Sequence, residues 1–276
     1  MLRKTAIVTA FIMTAGLSGC VFDSRSEAQA MSSSTYDVST SDTAFVFGGE
    51  VASVSLSPSS DGQFHAQVTY KVRGWQESVL QEILDEAEIS TESRDGDFRV
   101  SFVKKGTDTP IWKAVDEEHP NCSLSVEAEL FVPESFTQFS LSSDVGNINV
   151  TDIAGTFDLE ADVGNVAAES TVLTGDCRFV TNVGNVRVGL SEPIADGSSL
   201  EASSDTGNVL LTLSGQEEKN ASVSLKTNVG NVTLDTSGAK FTDNVERSAT
   251  GGSGTVALGN GAEAQLSAQV GKINVK

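Results

Sequence analysis

Along the first half of the chain, apolar and polar positions alternate. Phe45-Val46-Phe47 precedes a Gly48-Gly49 pair, and Val51, Val54 and Leu56 follow. Phe64, Ala66, Val68, Tyr70 and Val72 then alternate strictly with polar residues, which is the period of a half-buried strand. Between Trp75 and Ile89 the rhythm changes. Trp75, Val79, Ile83 and Ala87, with Leu80 and Leu84 beside them, have helical spacing, and predict one amphipathic helix over about 75–89 with its apolar stripe on a sheet. Its polar face carries Asp85, Glu86 and Glu88 and no Lys or Arg, unlike a membrane-surface helix. Strand patterns resume at 98–103 and 122–130, and Pro133 marks a corner.

From Phe139 a longer period takes over. Four letters recur: Asp-Val-Gly-Asn from Asp144 and Asp162, Asn-Val-Gly-Asn from Asn182 and Asn228, Asp-Thr-Gly-Asn from Asp205, and a worn Gln-Val-Gly-Lys from Gln269. Aligned on glycine, the copies fall at Gly146, Gly164, Gly184, Gly207, Gly230, Gly254 and Gly271. An apolar–polar–apolar triplet precedes most of them, as in Phe139/Leu141, Phe157/Leu159 and Cys177/Phe179. Another follows each, as in Ile148/Val150, Val166/Ala168 and Val186/Val188. The copy at Gly254 lacks a clean preceding triplet.

A strand–corner–strand unit of about 20 residues cannot close a core alone, but stacked copies bury a shared one. The expected fold is all-β: a parallel β-solenoid over 44–276, with regular repeats in 139–276 and one helix inserted near its N-terminal end. Crossover rules favour the right-handed form. Each corner glycine supplies a positive φ, which costs a residue with a Cβ about 1–2 kcal/mol. Stacking sets Asn147, Asn165, Asn185, Asn208 and Asn231 in one column, where they would ladder amide to amide. Lys272 ends the column and would blunt the exposed last edge.

The N-terminus reads as a leader. Arg3 and Lys4 precede an apolar run over 5–15, too short for a permanent bilayer span. Leu17-Ser18-Gly19-Cys20 closes it and resembles the bacterial lipobox. That resemblance implies that residues 1–19 are a lipoprotein signal peptide, that Cys20 is lipidated, and that two or more acyl chains make a stable anchor. Val21 rather than Asp leans toward the outer membrane if the host is Gram-negative. Residues 20–43, rich in Ser, Thr, Ala and acids, are expected to form a flexible tether.

The formal net charge is −20, and a leader without acids would take two cations with it. Such a chain repels phosphate backbones, so nucleic acid is excluded as a partner. With Cys20 lipidated, Cys122 and Cys177 remain, either as a disulfide or as buried thiols.

Repeated Asp/Asn-Val/Thr-Gly-Asn coils after a lipobox and a helix-interrupted β segment resemble the "putative adhesin" family, also called DUF4097. Family members carry Ser-Gly-Asp-Val repeats; here the corner is Val-Gly-Asn-Val. The resemblance covers about residues 44–276. It implies a β-solenoid surface or envelope domain and no catalytic residues. A protein or glycan partner is expected, and no cofactor or metal.

Two chemical readings compete with it. Stacked Asp144 and Asp162 could attract Ca²⁺, but Asn182 and Asn228 break the column, and Ca²⁺ wants six to eight oxygens. Asp158 and Glu160 have the separation of an inverting glycosidase pair. Arg178 is expected to stack on Asp158, however, and an alternating charge column explains these residues more cheaply. His65 and His119, the two histidines, lie outside the repeats. The expected function is therefore a non-enzymatic, lipid-anchored binding or structural module of the cell envelope. A periplasmic scaffold or sensor accessory is the alternative, and a polysaccharide-active enzyme ranks below both.

Overall fold

The structure is a computed structural model. It describes residues 5–11, 26–38, 41–236, 242–247 and 250–276; for 5–11, 242–245 and 247 it describes the backbone course alone. Cys20 and most of the expected leader lie outside the described residues.

The elements run as follows. The N-terminal part holds β1 (Thr5–Phe11), β2 (Ser26–Tyr36), β3 (Ala44–Pro58), β4 (Phe64–Gly74), α1 (Glu77–Glu86), β5 (Ala87–Arg94), β6 (Asp97–Lys104), α2 (Ile111–Glu118) and β7 (Ser123–Val132). The repeats hold β8 (Gln138–Val145), β9 (Ile148–Thr151), β10 (Ala154–Val163), β11 (Val166–Leu173), β12 (Cys177–Val183), β13 (Val186–Leu190), β14 (Ser199–Thr206) and β15 (Val209–Thr212). The C-terminal part holds β16 (Glu218–Lys219), β17 (Ser222–Val229), β18 (Val232–Asp235), β19 (Thr242–Arg247), β20 (Gly252–Ala257), β21 (Gly259–Asn260), β22 (Glu263–Val270) and β23 (Ile273–Val275).

The protein is mostly β, with a parallel-stranded core. One run of parallel pairings joins β3, β8, β10, β12, β14, β17 and β22. A second joins β3, β9, β11, β13, β15, β18 and β23. Strand β3 belongs to both, through its first and second halves. Each coil contributes one strand to each run, and like residues stack. Val54, Ile148, Val166, Val186, Val209, Val232 and Ile273 form one buried column. On the other run, Phe139 stacks on Phe157 with ring centroids 5.2 Å apart. A column of identical β-branched or aromatic side chains packs well on a pleated surface, so the alternation selects strands and the stack removes their apolar face from water.

Antiparallel strands extend the core at both ends. Strand β4 pairs with β7 and β2, and β5 with β6. The predicted flexible tether over 20–43 is thus corrected: Ser26–Tyr36 pairs with β4 along its whole length, and Ala28, Ala30 and Tyr36 are buried. Alternating small residues there read as polar tether because Ser and Ala carry little apolar signal, while β4 supplies the large partners.

The helix predicted over about 75–89 is shorter, and Trp75 lies outside it, 58% exposed. Leu80, Ile83 and Leu84 are its buried stripe. Residues 87–89 already belong to β5, because Ile89 alternates with polar neighbours on that strand. The second helix, α2, buries Ile111, Trp112, Ala114 and Val115 and has no counterpart in the sequence reading.

Gly254 is also corrected. It sits inside β20, opposite Val245 and Leu266, in an antiparallel hairpin laid against β22. The Gly230 coil stacks directly on the Gly271 coil through β17–β22 and β18–β23. Strands β19 and β20 are therefore an insertion, and Val256 in β20 and Leu258 just after it are buried, which is why the triplet after Gly254 imitated a repeat.

Candidate functional site

The repeated corner is built by contact between coils. Gly146, Gly164, Gly184, Gly207, Gly230 and Gly271 all have positive φ, between 128° and 156°. Space is tighter still than conformation. A Cβ on Gly164 would stand 1.8 Å from Gly146 O, and one on Gly184 would stand 1.9 Å from Gly164 O. The glycine is therefore required because the carbonyl of the coil below presses against its Cα.

The asparagines after the glycines form a continuous ladder. Asn165 Nδ2 and backbone N both donate to Asn147 Oδ1 at 2.9 Å. Asn185 does the same to Asn165, Asn208 to Asn185 and Asn231 to Asn208. Lys272 N closes the series on Asn231 Oδ1 at 2.9 Å. These side chains are exposed, so the ladder forms one edge of the surface.

Two features of this corner have no counterpart in the sequence reading. Strand β3 supplies a further corner, Val51-Ala52-Ser53-Val54, beneath the Gly146 coil: Asn147 N donates to Ser53 Oγ at 3.2 Å, and Val54 N to Asn147 O at 2.8 Å. Alignment on glycine hid it, because Ala52 stands where the repeats have Gly. The second feature is a buried hydroxyl column. Thr181 Oγ1 donates to Gly164 O and Ser204 Oγ to Gly184 O, both at 2.8 Å, and Thr227 Oγ1 to Gly207 O at 2.9 Å. Ser143 Oγ serves Ala52 O in the same way. The signal was available: Ser or Thr stands three residues before most of the corner glycines, and Ala161 and Ala268 interrupt the series.

Between the Asn ladder and the acid/amide column runs a line of valines. Val145, Val163, Val183, Val229 and Val270 are each 47–49% exposed. In the stack the line reads Val51, Val145, Val163, Val183, Thr206, Val229, Val270. Beside it Asn182 Nδ2 donates to Asp162 Oδ1 at 2.9 Å, and Asn228 Nδ2 to Asp205 Oδ1 at 3.0 Å. The corner thus presents an apolar ridge with polar ladders on both flanks.

The other candidate groups are accounted for by their neighbours. Arg178 donates to Asp158 Oδ1 at 3.1 Å and to Glu160 Oε2 at 2.7 Å, so one guanidinium spans the carboxylate pair considered as a glycosidase site. Among the described residues no three His, Cys, Asp or Glu side chains gather as a metal site. Cys122 and Cys177 are free thiols. Cys177 is buried in the column of Phe157 and Leu200, and burial pushes its thiol up to about 11. His65 bonds Asp61 and Thr35. Among the described residues no helix is long and apolar enough to cross a membrane.

Fold and corner together define a class: an all-β protein with a parallel-stranded core and a repetitive exposed ridge. Neither a family model nor a curated protein matches the chain. Solved structures do. The chain is similar to a "putative cell adhesion protein" from Clostridium sporogenes (12% identity, 99% of each chain, TM-score 0.45). It is also similar to a "putative adhesin" from Bacteroides fragilis (16% identity, 89% of this chain and 97% of that one, TM-score 0.43). A third, a "putative adhesin" from Parabacteroides merdae, has 12% identity and a TM-score of 0.35. At these identities and scores they decide neither fold nor function for this chain.

Proposed function

We propose that the chain is an exported bacterial lipoprotein whose stack is a β-solenoid of the adhesin type, acting as a non-enzymatic binding or structural module of the cell envelope. Cys20 is its anchor and the corner ridge its contact surface. The observation that carries this reading is the valine line. Side chains of this kind, about half exposed and interrupted once at Thr206, form an apolar line, and exposed apolar patches rimmed by polar groups mark interaction sites. The ladders on both flanks add a regular row of donors and acceptors. An envelope protein or glycan with its own repeat suits such a row.

The experiment is affinity capture from solubilised envelopes with the full chain as bait, beside a Val163→Asp/Val183→Asp variant. Capture of a partner by the wild type and its loss in the folded variant would support the ridge. Equal capture by both would remove it. The anchor is tested separately. Cys20→Ser should abolish lipid labelling and release the protein into the soluble fraction, and retention in membranes after a salt wash would refute it. Protease added to intact cells separates a surface module, which is cut, from a periplasmic scaffold, which is protected.

A further inference from the structure

The chain holds two tryptophans. Trp112 is 5% exposed, in the core, whereas Trp75 is 58% exposed. Trp75 stands at the corner between β4, whose last residue Gly74 is buried, and α1. Beside it is a depression of about 210 Å³, walled on one side by that corner and on the other by the segment joining α2 to β7. Gln76, Glu118, His119 and Asn121 supply its polar lining.

The walls are formed before any ligand arrives. Gln76 O accepts from Val79 N and Leu80 N at 3.0 and 3.2 Å. On the opposite side His119 N donates to Val115 O and Cys122 N to His119 O, both at 2.8 Å. The two sides touch: a Cβ on Gly74 would stand 2.7 Å from Cys122 Sγ. Preorganised walls spare a ligand the ordering cost.

The lining selects a ligand class. An exposed indole offers a flat apolar face with a negative quadrupole, which suits polarised C–H groups. Gln76 and Asn121 each offer a donor and an acceptor. Glu118 is held ionised by Lys104, whose Nζ donates to its Oε2 at 2.5 Å and keeps its carboxyl below the ordinary range. It is therefore an acceptor for hydroxyls. A ring with an apolar face and a rim of hydroxyls matches this set, and the volume admits one such ring. The carboxylate and the net charge of −20 disfavour an anionic sugar.

We propose that this depression is a binding subsite for one neutral pyranose ring, stacked on Trp75 and hydrogen-bonded by Glu118, Gln76 and Asn121. It is separate from the corner ridge and stands or falls without it.

The test titrates the full chain with the methyl glycosides of glucose, galactose, mannose and N-acetylglucosamine, and with N-acetylneuraminic acid. Tryptophan emission and saturation-transfer NMR are the readouts. At least one neutral glycoside should bind at millimolar concentration and alter the emission of the exposed tryptophan. Trp75→Ala should weaken that binding at least tenfold with the far-UV spectrum unchanged, Trp75→Phe should retain part of it, and Glu118→Gln should weaken it severalfold. Binding by no neutral glycoside would overturn the proposal. So would binding unaffected by Trp75→Ala, which would place any sugar elsewhere and leave the ridge reading intact. Equally tight N-acetylneuraminic acid would overturn the assignment to neutral sugars.

Discussion

At the residue scale, the corner glycines separate two costs that usually come together. Gly62 has φ +75° and, among the described residues, nothing within 4 Å of the place a Cβ would take, whereas Gly184 has φ +151° and a carbonyl 1.9 Å from that place. Alanine at Gly62 should cost only the backbone term, about 1 kcal/mol. Alanine at Gly184 must also push two coils apart and should cost about 3 kcal/mol or more. Equal midpoints in urea for the two variants would show that contact between coils is unimportant. The hydroxyl column gives the reciprocal experiment. Thr181→Val keeps the shape and removes the donor to the part-buried Gly164 O, and should cost about 1 kcal/mol. Ala161→Ser should restore the missing hydroxyl over Gly146 O and should not destabilise. A loss there as large as that of Thr181→Val would contradict the role assigned to the column. Glu218 is a third case. It is fully buried, its Oε2 accepts from Ile194 N at 2.9 Å, and Oε1 has no hydrogen-bond partner among the described residues. Burial raises its pKa, so the native state favours the protonated form. As pH rises through the ordinary glutamate range, the unfolded chain loses its proton first and stability falls, levelling off above the raised native pKa. Glu218→Gln should flatten that decline, and denaturation curves from pH 4 to 8 would show it.

At the element scale, the sequence was legible where the period repeated and where large apolar residues marked the inside. The β4 alternation and the coils around Gly146 to Gly230 were read at the right residues, because most inward positions carry Val, Ile, Leu or an aromatic ring. Three elements were misread, each for a physical reason. Strand β2 turns Ala, Ser and Tyr inward and borrows its apolar surface from β4. The β20 hairpin carries Val256 and Leu258 at repeat-like spacing, but its neighbour is antiparallel, which periodicity along one chain does not reveal. Trp75 fits the helical stripe by count, yet the chain bends at Trp75 before the helix begins. Of the site, the glycine and asparagine columns could be read from spacing; the Ala52-Ser53 corner could not, since it lacks the glycine used for alignment. That corner makes an element-level prediction. Ser53→Asn should add a rung beneath Asn147 and stabilise β3 on β9, raising the melting temperature by a few degrees. A fall would mean that the first coil has no room for the longer side chain.

At the scale of the whole molecule, a stack in which each coil touches only its neighbours should open from its ends. The two runs of strands end differently. On one, β22 is covered by β20 and then β19; on the other, β23 pairs with β18. Hydrogen exchange should therefore be slowest around β12 and β13, and faster in β18 than in β17. Uniform exchange across the coils would show that the molecule unfolds as one unit. The asparagine ladder has a further consequence here. From Asn165 to Asn231 each side-chain amide points its N–H toward the coil before it and its oxygen toward the coil after it, and Asn147 offers its oxygen in the same sense. Their dipoles add head to tail, as peptide dipoles do along a helix, and each polarises the next. The column thus has a positive pole at its N-terminal coil and a negative pole at the C-terminal one. At the negative pole the chain replaces asparagine with Lys272, a cation where the accumulated field most favours one.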